Sequence, residues 1–263
     1  MLKQRVAVAA VGLPLLAALV AGPEPLFSVA VALVLAAAAY EFVRATAPQS
    51  GHPPALAAGA LVALIAATAR SAGDFRLWVL LPPLAAATAL IVIRSRPPGR
   101  PALGWWVLAV LYLGALGAHW LLLRNIVDGA AWVALALAAT FATDSGAYAA
   151  GRLVGRHLLV PSISPAKTWE GGAGGLVAGA AAVVAAALLT DLDVDAAPLA
   201  AIAVALPLGA IAGDLLESAI KRRAGVKDMS ALLPGHGGLL DRMDSLLATG
   251  PLLYWMVEWV ATS

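Results

Sequence analysis

Apolar runs long enough to cross a bilayer follow one another along almost the whole chain, and they leave few folds open. A helix needs about 20 apolar residues to traverse the hydrocarbon layer. Nine stretches qualify: 6–22, 26–47, 55–71, 76–93, 103–123, 130–150, 172–190, 199–220 and 245–262. They are punctuated at Pro23 and Pro25, at Pro53-Pro54 and at Pro97-Pro98-Gly99, where helices end and turns begin. The pattern predicts an all-α polytopic membrane protein of about nine transmembrane helices. The first run follows Lys3 and Arg5 and has the outline of a signal peptide. With so many spans after it, a retained first helix is expected.

Composition points the same way. The 263 residues are 62% hydrophobic and 12% charged, with a mean hydropathy of +0.89. Soluble domains are about 45–50% apolar and roughly 25% charged, so a water-soluble body of this size is excluded. A net charge of +2 would fit a nucleic-acid partner only if the cations formed a patch. They lie between apolar runs instead, and no nucleic-acid partner is expected. The chain has no cysteine, which removes disulfides and thiolate metal sites.

The cations also set an orientation. Nine spans with a cytoplasmic N-terminus put Lys3, Arg5, Arg44, Arg94, Arg96, Arg100, Arg152, Arg156 and Lys167 on the inner side. Lys221, Arg222, Arg223, Lys227 and Arg242 join them, leaving only Arg70, Arg76 and Arg124 of the 17 Lys and Arg outside. Positive residues concentrate on the cytoplasmic side of membrane proteins, so the N-terminus is expected to be cytoplasmic, in a cell inner membrane. The outer Asp191-Leu-Asp-Val-Asp195 turn lacks the Gly and distal Glu of a calcium loop and reads as solvated acid.

The first 130 residues form one region, with Ala and Gly faces suited to close helix packing and a possible role in dimerisation. Glu41 is its one carboxylate at membrane depth and reads as a snorkelling or helix-pairing group ahead of a catalytic one; His52 and His119 receive no role. Residues 131–263 differ. Asp144 lies in Thr-Asp-Ser-Gly-Ala-Tyr, Asp214 and Glu217 in Gly-Asp-Leu-Leu-Glu-Ser, and Asp241 and Asp244 in Leu-Leu-Asp-Arg-Met-Asp. A charge at the bilayer centre costs roughly 2.5–3.5 kcal/mol on the most lenient scale. So many acids are therefore expected to line a wet cavity, paired with cations or metal. Asp214 with Glu217, and Asp241 with Asp244, are spaced i,i+3 and would share helical faces, with Ser218 next in line. Hard oxygen donors from two helices suit Mg2+, which takes one or two carboxylates plus substrate phosphates.

Phosphate-binding material surrounds these acids. Pro234-Gly-His-Gly-Gly238 is a Gly-rich turn ahead of an expected helix start, where backbone N–H groups can meet an anion. Within it His236, Gly237 and Gly238 are candidates for phosphate contact. Lys221, Arg222 and Lys227 supply charge, although Arg222 and Arg223 serve topology or anionic lipid equally well. In Ser162-Ile-Ser-Pro-Ala-Lys-Thr-Trp-Glu-Gly-Gly172, Ser164 starts a turn before Pro165, and Lys167 and Thr168 are placed to hold phosphate or nucleotide.

At these residues the chain resembles a known family. The 27 residues from Ser218 to Asp244, read with Asp144-Ser-Gly-Ala-Tyr-Ala-Ala-Gly-Arg and Ser-Pro-Ala-Lys-Thr-Trp-Glu-Gly, are similar to the signature motifs of phosphatidate cytidylyltransferases, also called CDP-diglyceride synthases. The resemblance covers about 144–244 and departs at Ala166, where a second lysine is common. It implies CTP and phosphatidic acid as substrates, CDP-diacylglycerol and pyrophosphate as products, a place in phospholipid biosynthesis, and a homodimer. It also implies Asp214, Asp241 and Asp244 as ligands of a paired Mg2+ and K+ centre. Ser218, Lys221, Arg222, Lys227, Asp228 and His236 would lie in the substrate pocket, with Asp144, Ser164, Lys167, Thr168, Glu217, Gly237, Gly238 and Arg242 as further substrate contacts.

Polyprenol or phytol kinases, which also use CTP, are the nearest alternative and would release CDP. The Asp-Gly-x-x-Ala-Arg motif of CDP-alcohol phosphotransferases is absent. A transporter would place its acids near mid-bilayer and show internal repeats, and neither is evident.

Overall fold

Long runs of Ala, Leu and Val with few competing polar groups fold as helices. In the computed structural model, which describes residues 2–69, 102–230, 232 and 237–261, almost every such run does so. The helices are α1 (Leu2–Ala21), α2 (Glu24–Thr46), α3 (His52–Ala69), α4 (residues 102–125), α5 (Gly129–Val154), α6 (Trp169–Leu189), α7 (Ala196–Ala224) and α8 (Leu246–Ala261). Six of them are long and apolar enough to cross a membrane: α2, α3, most of α4, α5, α6 and α7. The described apolar stretches of α1 and α8, Ala10–Ala21 and Leu246–Val260, are shorter. The expected span at 76–93 lies outside the described residues.

By internal contacts the chain forms two compact units. One comprises Met1–Asn125 with Ile220–Met243, the other Ile126–Ala219 with Asp244–Ser263. Residues 220–243, which carry most of the signature, belong by contact to the unit containing the N-terminal helices.

In the first unit α2 and α3 come close because Gly59 has no side chain: a Cβ there would stand 2.8 Å from the Ala36 carbonyl oxygen. Leu35, Ala38, Ala39 and Phe42 of α2 and Ala55, Ala58, Val62 and Ala66 of α3 are fully buried. The middle of α4 widens into a π-helical stretch, Val110–Ala115. His119 is fully buried, and its Nδ1 meets the Ala115 carbonyl at 2.7 Å, a bond within its own helix.

In the second unit a ladder of small residues sets the spacing of α5 and α6. Gly171, Gly175 and Gly179 face α5, where added Cβ atoms would meet the Ala147 carbonyl at 2.9 Å, the Thr143 carbonyl at 2.9 Å and the Thr143 hydroxyl at 2.1 Å. Small residues four apart allow this close approach, as in other membrane helix pairs. The all-α expectation needs one correction between these helices. Residues Leu158–Val160 (β1) and Ser164–Thr168 (β2) form an antiparallel hairpin, Leu158 opposite Thr168 and Val160 opposite Ser164. The turn falls at Pro161–Ile163, so Ser164 and Pro165 belong to a strand rather than starting the turn.

Candidate functional site

The hairpin roofs a cavity of about 480 Å3 in the second unit that several polar side chains line. Its wall takes Asp144, Tyr148 and Arg152 from α5, Ser164, Lys167 and Thr168 from β2, Gly171 and Gly172 from α6, and Asp214 from α7. Asp144, Tyr148 and Arg152 lie four residues apart, so one face of α5 presents all three. The Tyr148 hydroxyl accepts a hydrogen bond from Arg152 Nη1 at 2.8 Å.

Local chemistry fixes the hairpin over the cavity. Thr168 is the N-cap of α6, its hydroxyl accepting from the Gly171 N–H at 3.0 Å. Glu170, in the first turn of α6, accepts from the backbone N–H groups of Arg156 and His157 at 3.1 and 3.2 Å and meets His157 Nδ1 at 2.6 Å. The Trp169 N–H donates to the His157 carbonyl at 2.9 Å. The start of β1 and the end of β2 are thus tied to one helix start, and Lys167, the residue before the cap, lines the cavity. Its Nζ stands 2.5 Å from Asp214 Oδ2, with the two side chains 24% and 30% exposed, so solvent reaches an ion pair that is nonetheless mostly covered.

Asp214 meets the start of α8 through its neighbour Gly213. A Cβ on Gly213 would lie 2.8 Å from the Asp244 carbonyl oxygen, 2.8 Å from Ala248 Cβ and 3.3 Å from Ser245 Cα. The two backbones therefore touch where Asp214 and Asp244 leave them. Ser245 is buried and its hydroxyl donates to Asp144 Oδ1 at a long 3.4 Å, while its N–H donates to Asp244 Oδ1 at 2.8 Å. Asp244, Asp214 and Lys167 thus all act on Asp144, and Lys167 pairs with Asp214. Ser218 donates weakly to Asp214 Oδ1, at 3.4 Å. Glu217, expected to share their face, is fully buried and is not part of the cavity wall.

Among the described residues no three His, Cys, Asp or Glu side chains stand close enough to cage a metal unaided. The donors present are hard carboxylate oxygens on either side of a Gly-mediated helix contact. That set suits Mg2+, which completes its shell with water and substrate phosphate.

The signature segment in the first unit is organised differently. Asp241 is 6% exposed. Its Oδ2 accepts from Gly238 N at 2.7 Å and Met229 N at 2.9 Å, and its Oδ1 takes Lys221 Nζ at 3.0 Å. Asp241 lies in a short 3-10 turn, Leu240–Arg242, and Asp244 in the turn residues that follow. The expected α-helical face shared by Asp241 and Asp244 is therefore not formed, because the Asp241 carboxylate closes the loop back onto Gly238 and Met229. Gly237 adopts φ 80°, a conformation open to glycine at little cost. Arg222, Lys227, Asp228 and Arg242 are exposed, and His236 lies outside the described residues.

Three groups in or beside the cavity were not singled out from sequence: Tyr148, Arg152 and Glu170. The four-residue spacing from Asp144 was a signal for the first two. Nothing in the sequence marked Glu170 as the hairpin's anchor, because that role depends on a hairpin the hydrophobic pattern does not show.

Fold and cavity together define a helical protein with membrane-length apolar helices and a polar pocket whose paired cations and carboxylates suit a phosphorylated ligand. The chain belongs to the cytidylyltransferase family, whose model matches residues 3–260. Among similar proteins, a phosphatidate cytidylyltransferase of Bacillus subtilis is 39% identical over 155 residues, covering 59% of this chain and 58% of that one. A phosphatidate cytidylyltransferase of Mycobacterium bovis is 45% identical over 132 residues, 49% of this chain and 42% of the relative. Uncharacterized protein YnbB of Escherichia coli is 39% identical over 197 residues, 70% of this chain and 65% of that protein. The matched stretches thus span between two fifths and two thirds of these relatives' lengths.

Proposed function

We propose that this protein is a phosphatidate cytidylyltransferase, transferring CMP from CTP to phosphatidic acid to give CDP-diacylglycerol and pyrophosphate for phospholipid synthesis. The observation that carries the reading is that Asp144, Asp214 and Lys167 share the wall of a 480 Å3 cavity, with Lys167 paired to Asp214 and Asp244 acting on Asp144 from the start of α8, in a chain of the cytidylyltransferase family. The names of the Bacillus and Mycobacterium relatives select the lipid acceptor.

In the reaction an oxygen of the lipid phosphate attacks the α-phosphorus of CTP. A new P–O bond forms as the α–β bridging P–O bond breaks, and pyrophosphate leaves with the electron pair. A phosphate monoester is already mostly ionised near pH 7, so no general base is required. The difficulty is bringing two anions together. Lys167 and Arg152 offer cations at the cavity wall, and Tyr148 holds the Arg152 guanidinium on its own helix face. Fixed charges of this kind, placed before the reaction, stabilise the charge that develops as the bond breaks.

Asp214 and Asp244 are the residues that would hold Mg2+, with K+ as a second ion in the paired centre. A divalent ion held there would supply charge neutralisation for the substrate phosphates. Lys167 already neutralises Asp214, and from the cavity wall it offers the same charge to substrate phosphate. The family resemblance assigns Asp241 as a third ligand of that centre, and Lys221 and Lys227 to the same reaction. Nine spans, a cytoplasmic N-terminus, an inner-membrane location with cytoplasmic access for CTP, and a homodimer complete the proposal, supported by the cation distribution and the resemblance.

The test is purified protein supplied with CTP, phosphatidic acid and Mg2+, with and without a chelator. A liponucleotide should form only with the metal, and D214N and D244N should form none while still inserting into membranes. Wild-type turnover in either variant would overturn the ligand assignment. No liponucleotide from the wild-type protein would overturn the activity.

A further inference from the structure

Glu41 reads from sequence as a helix-pairing carboxylate, far outside the motifs that carry the resemblance. The structure gives it another task. It sits in the last turns of α2 and is 6% exposed. Its partners are not on a neighbouring helix but in the signature segment almost 200 residues later. Oε2 accepts from the Leu239 N–H at 2.8 Å and the Leu240 N–H at 3.2 Å, and Oε1 accepts from the Ser230 hydroxyl at 2.7 Å. The Ser230 oxygen in turn accepts from the Leu232 N–H at 3.1 Å.

Leu239 and Leu240 open the Leu240–Arg242 turn, and Leu239 supplies no side-chain cap of its own. The first N–H groups of such a turn lack partners within it, and a carboxylate is the strongest acceptor for them. Glu41 therefore caps this turn from a different helix. Gly238 admits it, since a Cβ there would stand 2.7 Å from Glu41 Oε2. Asp241 closes the same segment from within, holding Met229, Gly238 and Lys221. Two carboxylates thus share the backbone N–H groups of Met229, Gly238, Leu239 and Leu240, and the cap made by Glu41 sets where Asp241 and Arg242 begin.

We infer that Glu41 is a positioning residue for nucleotidyl transfer: by capping the Leu240–Arg242 turn and anchoring Ser230, it holds the signature segment in its working conformation. This rests on the activity proposed above. A group that only paired helices would affect how much protein folds. A cap on this turn affects turnover per folded molecule, and it can be served by a neutral acceptor. Glutamine fits that description, its carbonyl facing the two N–H groups and its amide donating to the Ser230 oxygen.

The experiment compares wild type, E41Q, E41A and S230A in detergent, normalising liponucleotide formation to monodisperse protein. Hydrogen exchange of the Leu239 and Leu240 amides is measured on the same samples. Displacing a reacting group by about 1 Å costs on the order of 100-fold, so kcat of E41A should fall at least about 30-fold. Its KM for CTP should change far less. E41Q should stay within about threefold of wild type, and S230A, missing one of three donors, should fall between them. The two amides should exchange faster in E41A and stay protected in E41Q. Equal loss in E41Q and E41A, or wild-type kcat in E41A, would overturn the inference. Should E41A yield no monodisperse protein, S230A decides: unchanged kcat overturns it, and reduced kcat with faster exchange supports it. A wild-type protein that makes no liponucleotide would refute the activity instead, and the exchange data would still judge the cap.

Discussion

Replacing Gly213 by alanine probes the contact that brings Asp214 to the backbone of Asp244. The new methyl would lie 2.8 Å from the Asp244 carbonyl oxygen, 2.8 Å from Ala248 Cβ and 3.3 Å from Ser245 Cα. Two of these three atoms are backbone and have no rotamer to change, so α7 and α8 must part by about 0.6 Å to restore ordinary contact near 3.4 Å. Overpacking of this kind costs about 1–3 kcal/mol, while alanine in a helix recovers roughly 1 kcal/mol over glycine. Net stability should therefore drop by no more than about 2 kcal/mol, leaving the protein folded. Catalysis should be less forgiving. Since about 1 Å of misplacement can cost on the order of 100-fold, a shift of just over half that predicts roughly a tenfold or greater fall in kcat. The assay is liponucleotide formation per mole of monodisperse protein, beside G209A and G104A. A methyl at Gly209 meets the Leu252 Cδ2 tip, which can rotate away, and Thr249 Cγ2 at an ordinary 4.0 Å, and one at Gly104 meets nothing within 4 Å. Both controls should keep activity within about threefold, as surface or repackable changes do. If G213A matches G209A, the contact does not govern the placement of the two carboxylates, and the reasoning fails.

Other substitutions test separate parts of the cavity. K167M removes the cation beside Asp214; a hydrogen bond to a charged group is worth about 1.5–3 kcal/mol, so KM for CTP should rise roughly 10–100-fold in steady-state kinetics. T168A deletes the N-cap of α6 and should lower stability by about 1 kcal/mol in a thermal scan, with a smaller loss of activity than K167M. R152A should weaken substrate binding and leave thermal stability within about 0.5 kcal/mol, because Arg152 donates to the exposed Tyr148 hydroxyl. G171A, whose methyl would meet the Ala147 carbonyl at 2.9 Å, should destabilise the α5–α6 pair and reduce the yield of folded protein.

The helices were legible because a run of 20 apolar residues admits little else, and the six membrane-length helices start and stop close to the expected residues. Asp144, Lys167, Asp214 and Asp244 were legible as well, since charges in such a chain need a reason. The hairpin at 158–168 was not. Its strands are short, one begins Ser-Pro, and what holds them is the Thr168 cap and the Glu170 clamp rather than an alternating pattern. The helical spacing of Asp241 and Asp244 misled for a related reason. Three residues apart implies a shared face only on a helix, and side-chain bonds from Asp241 and Glu41 favour a 3-10 turn there. The role of Glu41 depends on a contact across nearly 200 residues, which no local pattern can show.

The chemistry is tested most directly by following the phosphorus atoms of CTP. With distinct labels on the α- and γ-phosphorus, this account places the α label in the lipid product and the γ label in released pyrophosphate, in equal amounts. A lipid that carries the γ label, with CDP released, would mean a kinase and contradict it.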